Sequence, residues 1–249
     1  MNEMTGRVAL VTGAARNIGR AIALDLAAAG ATVALVARAD RAGLGETAAL
    51  ISDAGGRAEV ILADITNEDS VREMVARTKA VFGRLDILVN NAALRAEVEF
   101  QDITLAQWRE VFAVNLEGAF LSSQAALSML SESDAGAIIN IGGLTAYTGA
   151  RNRAHVIAAK AGLDGLTKAL AQDLAPRGIT VNLIAPGLID TARTGRSAAE
   201  PEHHKHHATL LGRRGRPEEV AAMVRHLAGP NGRYITGQTI HVNGGLYLP

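Results

Sequence analysis

The 249-residue chain contains no cysteine, which excludes disulfides, thiolate nucleophiles and cysteine-ligated zinc or iron-sulfur centres. It has no excess of either charge, since 25 basic side chains balance 25 acidic ones. A general nucleic-acid or anionic-membrane binder carries a basic footprint that is missing here, so a small-molecule partner is expected. No stretch approaches the ~20 consecutive apolar residues of a membrane span, because Arg, Asp or Gly interrupts even the alanine-rich runs. The N-terminus, Met1 to Arg7, is polar and leads directly into Val8-Ala9-Leu10-Val11. It has none of the basic region, long apolar core and cleavage site of a secretory signal, and a cytoplasmic location is the expectation. Linkers, internal repeats and low-complexity tracts are absent as well, so the length reads as a single α/β domain over residues 1–249.

What is present is an alternation of short β-branched runs with longer stretches of helical period, the pattern of repeated βαβ units around a buried parallel sheet. Seven strands are predicted: Val8 to Thr12, Thr32 to Ala37, Ala58 to Leu62, Ile87 to Asn90, Ala137 to Ile141, Thr180 to Ile184 and Thr239 to Val242. Between them, Ile18 to Ala29 and Glu68 to Phe82 read as helices terminated by Gly30 and Gly83. Residues 191–209 lose the apolar period, are rich in charge and histidine, and read as a mobile insertion. Pro217 followed by Glu218 and Glu219 marks an ordinary helix start.

The first strand runs into Thr12-Gly13-Ala14-Ala15-Arg16-Asn17-Ile18-Gly19, and a helix follows at once. Gly13 permits a sharp turn, Gly19 permits close helix packing, and free amides at the helix start can face a pyrophosphate. Such a turn is purely structural in many α/β proteins; its place after the first strand is what points to a nucleotide.

Further pieces follow in order: Asp64-Ile65, Asn90-Asn91-Ala92-Ala93, Asn115, Lys160, Pro186-Gly187, Arg213-Arg214-Gly215-Arg216-Pro217-Glu218-Glu219, and Ile235-Thr236-Gly237-Gln238 leading to Asn243-Gly244-Gly245. In this order, and over nearly the whole chain, they resemble the short-chain dehydrogenase/reductase family. The resemblance implies a doubly wound Rossmann fold, with a seven-stranded parallel sheet in the order 3-2-1-4-5-6-7 and helices on both faces. It implies an oxidoreductase moving a hydride between a nicotinamide coenzyme and a carbonyl, alcohol or C=N substrate. Coenzyme contacts are implied for Gly13, Arg16, Asn17, Ile18, Gly19, Arg38, Asp64, Ile65, Asn91 and Ala92. At the nicotinamide end they are implied for Lys160, Pro186, Gly187, Ile189 and Thr191. A homotetramer is implied too, and the small-residue run Ala158-Ala159-Lys160-Ala161-Gly162 permits close helix packing, within or between subunits.

The coenzyme can be argued from residues. A carboxylate at the end of the second strand would bind the adenosine ribose hydroxyls and favour NAD(H). Ala37 stands there, followed by Arg38, and Arg16 lies in the glycine turn. Two guanidiniums converging on a ribose 2′-phosphate favour NADP(H); solvated surface arginines, and NAD(H), are the alternative. Asn17 replaces the family's middle glycine, and asparagine is the residue after glycine that best accepts left-handed backbone angles.

Carbonyl reduction also needs a proton donor, which the family supplies from a Tyr near a Lys, with a Ser holding the substrate oxygen. By resemblance, Gly143 occupies the Ser position and Val156 the Tyr position, so both hydroxyls are absent. Losing a positioned donor costs ~10²- to 10⁴-fold. Another group must act, or hydride transfer is not the function. Lys160 remains, four residues after Val156 on the same helix face, and by resemblance Asn115 kinks its helix and holds a relay water. His155 has a near-neutral ordinary pKa but points about 100° away from Val156. Tyr147 and Thr145 offer hydroxyls after Gly143. Arg95, Arg151 and Arg153 either rim the cleft for an anionic substrate or lie on the surface. His203, His204, His206 and His207 fall in the family's variable substrate lid and are read as solvated, with no metal site assigned. The competing function is a nucleotide-binding regulatory or structural subunit without hydride transfer; a lyase or isomerase is a third.

Overall fold

The computed structural model describes residues 2–192 and 209–249. In chain order the elements are β1 (Val8–Thr12), α1 (Asn17–Ala28), β2 (Thr32–Ala37), α2 (Arg41–Asp53), β3 (Ala58–Leu62), α3 (Glu68–Phe82) and β4 (Ile87–Asn90). There follow α4 (Leu105–Phe112), a π-helical turn (Ala113–Glu117), α5 (Gly118–Ser131), β5 (Ala137–Ile141), the short α6 (Thr145–Thr148), α7 (Ala154–Leu174) and β6 (Thr180–Pro186). Beyond the undescribed residues come α8 (Pro217–Ala228) and β7 (Thr239–Val242).

The strands form one seven-stranded sheet, ordered β3-β2-β1-β4-β5-β6-β7, and every pairing is parallel. Because successive strand side chains point to opposite faces, a buried parallel sheet needs a helical layer on each side. Ala9, Val11, Val33, Leu35, Val89 and Ile139 pack on one face against Ile22 and Leu26 of α1 and Val220, Val224 and Leu227 of α8. Val8, Leu10, Ala34, Val36, Leu88 and Ile138 pack on the other against Met74 of α3, Leu130 of α5 and Leu174 of α7. Each such fully buried aliphatic side chain contributes about 1.5–3 kcal/mol, so the sheet is a rigid floor. The strand order reverses at β1, between β2 and β4, and the crevice outside the carboxyl ends there is where open α/β sheets take ligands.

Differences from the predicted elements are local. β6 runs two residues past Ile184 to Pro186, because β7 continues the pairing as far as Pro186–Val242. α1 begins at Asn17, one residue early, and ends at Ala28, with Ala29 as its C-cap and Gly30 left-handed at φ 98° after that. Thr145 and Tyr147 lie in a short helix rather than an open loop. The expected histidine-rich lid, with His203, His204, His206 and His207, lies largely outside the described residues, as does most of 191–209.

Candidate active site

The nucleotide end of the crevice is built mainly from backbone. Gly13 is left-handed (φ 68°), and a Cβ on Gly19 would lie 2.1 Å from the Gly13 carbonyl oxygen, so α1 packs against the turn only because residue 19 is glycine. Ala14 N–H donates to Val36 O (3.0 Å), tying the turn to β2. Asn91 Nδ2 donates to Thr12 O (2.9 Å) and Gly13 O (3.1 Å), while Thr12 Oγ1 accepts from the backbone N–H groups of Asn91 (3.0 Å) and Ala92 (3.1 Å). The loop after β4 is thereby fastened under the loop after β1. α1 starts without a side-chain cap, which leaves amides of its first turn for a ligand.

The side chains of Ile18 and Ile65 are buried, one in each core layer. Arg16 and Arg38 are both exposed. Burial would raise the Asp64 carboxyl, but hydrogen bonds from Thr66 and the Arg38 charge hold it below its ordinary range. Asn17 is left-handed at φ 53°. Its carboxamide makes a paired contact across the crevice, with Nδ2 donating to Ala192 O (2.9 Å) and Oδ1 accepting from Ala192 N–H (2.9 Å). At the far end, Gly187 allows close approach: a Cβ there would lie 2.7 Å from Asn243 Cα. Ile189 bridges to Gly215, and Thr191 follows, half-exposed.

The other end is built from side chains. Asn115 sits in the π-helical turn between α4 and α5, where the extra residue per turn re-aims it. Its Oδ1 accepts from Leu94 N–H (2.7 Å) and its Nδ2 donates to Leu94 O (3.0 Å), which locks the loop after β4. Lys160, on α7, is buried rather than solvated, and its Nζ donates to Ile141 O (2.6 Å) at the end of β5. Burial, then the Arg95 and Arg153 guanidiniums, pull its pKa from the ordinary lysine value to about 7. Arg153 is half-buried and Arg95 and Arg151 are exposed. Among the described residues, nothing lies within 4 Å of where a Gly143 Cβ would stand. Val156 is buried with Val111 and Ala159, against Leu94, Ala96 and Phe112.

Two further candidate donors lie in packed surroundings. Tyr147 packs with Leu163, Leu183 and Ala185, edge-on to His241 and stacked with Tyr247. Its hydroxyl lies 3.5 Å from Thr239 Oγ1, which in turn donates to Asp164 Oδ1 (2.5 Å). Burial pushes the Tyr147 phenol up to about 12 despite the Thr239 contact. His155 has no exposed surface, neither ring nitrogen has a hydrogen-bond partner among the described residues, and burial followed by the Arg153 charge lowers its pKa. A neutral imidazole inside the protein results. On α7, Ala161 is exposed, whereas Gly162 lies against Leu116 within the chain.

Three parts of this site were not anticipated from the sequence: the Asn17–Ala192 pair, the Leu94 backbone held by Asn115, and Asp164 behind Tyr147. Asp164 stands four residues after Lys160, so helical spacing alone could have singled it out. The other two join backbone to distant side chains and leave no local pattern.

Residues 13–247 match the family profile described as enoyl-(acyl carrier protein) reductase. The chain is 41% identical over 250 residues to a 3-oxoacyl-[acyl-carrier-protein] reductase of Synechocystis sp., covering all of both proteins. It superposes with a TM-score of 0.93 on the crystal structure of a dehydrogenase/reductase from Sinorhizobium meliloti, at 37% identity, covering 100% of this chain and 99% of that one. A short chain dehydrogenase from Burkholderia cenocepacia, solved in complex with NADP, superposes with a TM-score of 0.91 at 37% identity, covering 98% and 99%.

Proposed function

The chain belongs to the short-chain dehydrogenase/reductase family of oxidoreductases, and from that premise we propose that it is an NADP(H)-dependent enzyme that interconverts a carbonyl, or a C=N group, and its reduced form on an anionic small molecule, with Lys160 handling the proton. The observation that carries the reading is a lysine buried at the end of β5, with pKa about 7, in a site where Gly143 and Val156 offer no hydroxyl.

The residues present fit the coenzyme. A Cβ at Gly13 would collide with Asn91 and Ala92 and one at Gly19 with the Gly13 carbonyl, so the turn keeps its tight form only with glycine at both positions; Ala37 presents no carboxylate, and Arg16 and Arg38 bring cations to the adenosine side. Gly13, Asn17, Gly19, Asn91 and Ala92 would hold the pyrophosphate side, and Pro186, Gly187, Ile189 and Thr191 the nicotinamide side. When bound, the coenzyme supplies the hydride.

The chain's own residues do the rest. Near neutral pH the Lys160 ammonium is divided between protonated and neutral forms, the condition under which a general acid or base works best. In the reducing direction its Nζ gives a proton to the substrate oxygen or nitrogen; in the oxidising direction it takes one. Arg95 and Arg153, close enough to lower the Lys160 pKa, also make this end cationic, which draws in a carboxylate or phosphate. Asn115 fixes the loop carrying Leu94 and Arg95. The site is proposed to work within the homotetramer that family membership suggests.

Steady-state NADPH oxidation over a panel of keto acids, their esters and imines tests the reading. Keto acids should turn over best. The rate should fall as pH rises through about 7 and Lys160 loses its proton, and Lys160→Met should lower kcat at least ~100-fold. No turnover across the panel despite tight NADPH binding would favour the nucleotide-binding subunit instead. Turnover in Lys160→Met with an unaltered pH profile would remove Lys160 as the donor.

A further inference from the structure

We propose that Asn17 clasps the dinucleotide crevice and sets the residence time of the coenzyme. This rests on the coenzyme reading above. Asn17 opens α1 in the phosphate turn, and Ala192 lies six residues beyond Pro186, the end of β6. The two are separated by 175 positions, yet the Asn17 carboxamide engages both backbone groups of Ala192 at 2.9 Å.

The geometry is that of one rung of a ladder, with a side-chain amide replacing a strand. Both donor and acceptor are satisfied at once, which fixes position and orientation together, as a single hydrogen bond would not. The left-handed backbone at φ 53° aims the carboxamide across the crevice. Glycine adopts that backbone more easily but brings no carboxamide, so the residue here exchanges backbone comfort for a bridge. The bridge joins the turn that would hold the pyrophosphate to the segment carrying Ile189 and Thr191. A dinucleotide lying between these two points leaves only when the clasp opens. Asn17 is therefore a positioning residue, and its effect falls on release rather than on the chemical step.

Two variants attack the clasp from opposite sides. Asn17→Gly removes the carboxamide and relaxes the backbone; Ala192→Pro removes the N–H that donates to Asn17 Oδ1. Stopped-flow displacement of NADPH, followed by its fluorescence, should show release accelerated about 10-fold in Asn17→Gly, equivalent to ~1.4 kcal/mol. Ala192→Pro should accelerate release too, and the double variant should exceed Asn17→Gly by little, because both remove one interaction. The thermal midpoint of the coenzyme-free protein should stay close to wild type in Asn17→Gly. Wild-type release rates in Asn17→Gly, or additive effects in the double variant, would overturn the clasp while leaving the coenzyme reading intact. Failure of the wild-type protein to bind NADPH would overturn both.

Discussion

The two ends of the crevice differ in what they leave free. At the nucleotide end, shape is dictated by main-chain atoms: Gly19 faces a carbonyl 2.1 Å from where its Cβ would be, and Asn91 props both Thr12 and Gly13. At the end that carries Lys160 and Asn115, Gly143 faces open space among the described residues and Val156 sits among apolar neighbours. Main-chain packing tolerates almost no substitution, because there is no rotamer to move aside. A side-chain site on a rigid floor tolerates replacement of its reactive groups without loss of fold. Chemistry can therefore change at one end while nucleotide geometry persists at the other.

Placing hydroxyls at positions 143 and 156 gives the largest expected effect. Because a simple ketone lacks the anionic group that would seat a substrate beside Lys160, Gly143→Ser with Val156→Tyr should raise its NADPH-dependent reduction by ~10²- to 10⁴-fold, the worth of a positioned proton donor. The added Ser has room, and the added Tyr stands one helical turn from Lys160. No gain in the folded double variant would show that the catalytic end has diverged beyond these two positions.

A matched glycine pair sharpens the contrast. Gly19→Ala should weaken NADPH binding roughly 100-fold in titration calorimetry, about 2.7 kcal/mol, and lower the thermal midpoint as α1 is forced off the turn. Gly143→Ser alone should shift stability within about 0.5 kcal/mol, as surface-like substitutions do. Equal effects would break the distinction between the two ends. The smallest effect on binding concerns coenzyme choice: Arg38→Ala should reduce the preference for NADPH over NADH by about 10-fold, the scale of one charge-assisted contact. An unchanged ratio of dissociation constants would remove Arg38 from 2′-phosphate recognition.

Much of the frame was legible in one dimension. The seven β-branched runs match seven strands, and Gly83 ends α3 in the left-handed conformation (φ 77°) expected of a terminator. Gly13 and Gly19 were identifiable because turn and packing requirements act on immediate neighbours. Tyr147 and His155 were a different case. Each carries suitable chemistry by residue type, but Tyr147 is directed by Leu183 and Thr239, 36 and 92 positions away, and His155 is enclosed by the packing around the start of α7.

The linear order of residues thus determined the parallel α/β sheet and the glycine turn, since periodicity, backbone freedom and residue identity are local properties. Tertiary structure alone decided that Lys160 is dehydrated beside two guanidiniums, that Tyr147 faces β7, and that Asn17 reaches Ala192. Burial, electrostatic fields and hydrogen bonds depend on distance in space, and chain separation does not encode that distance.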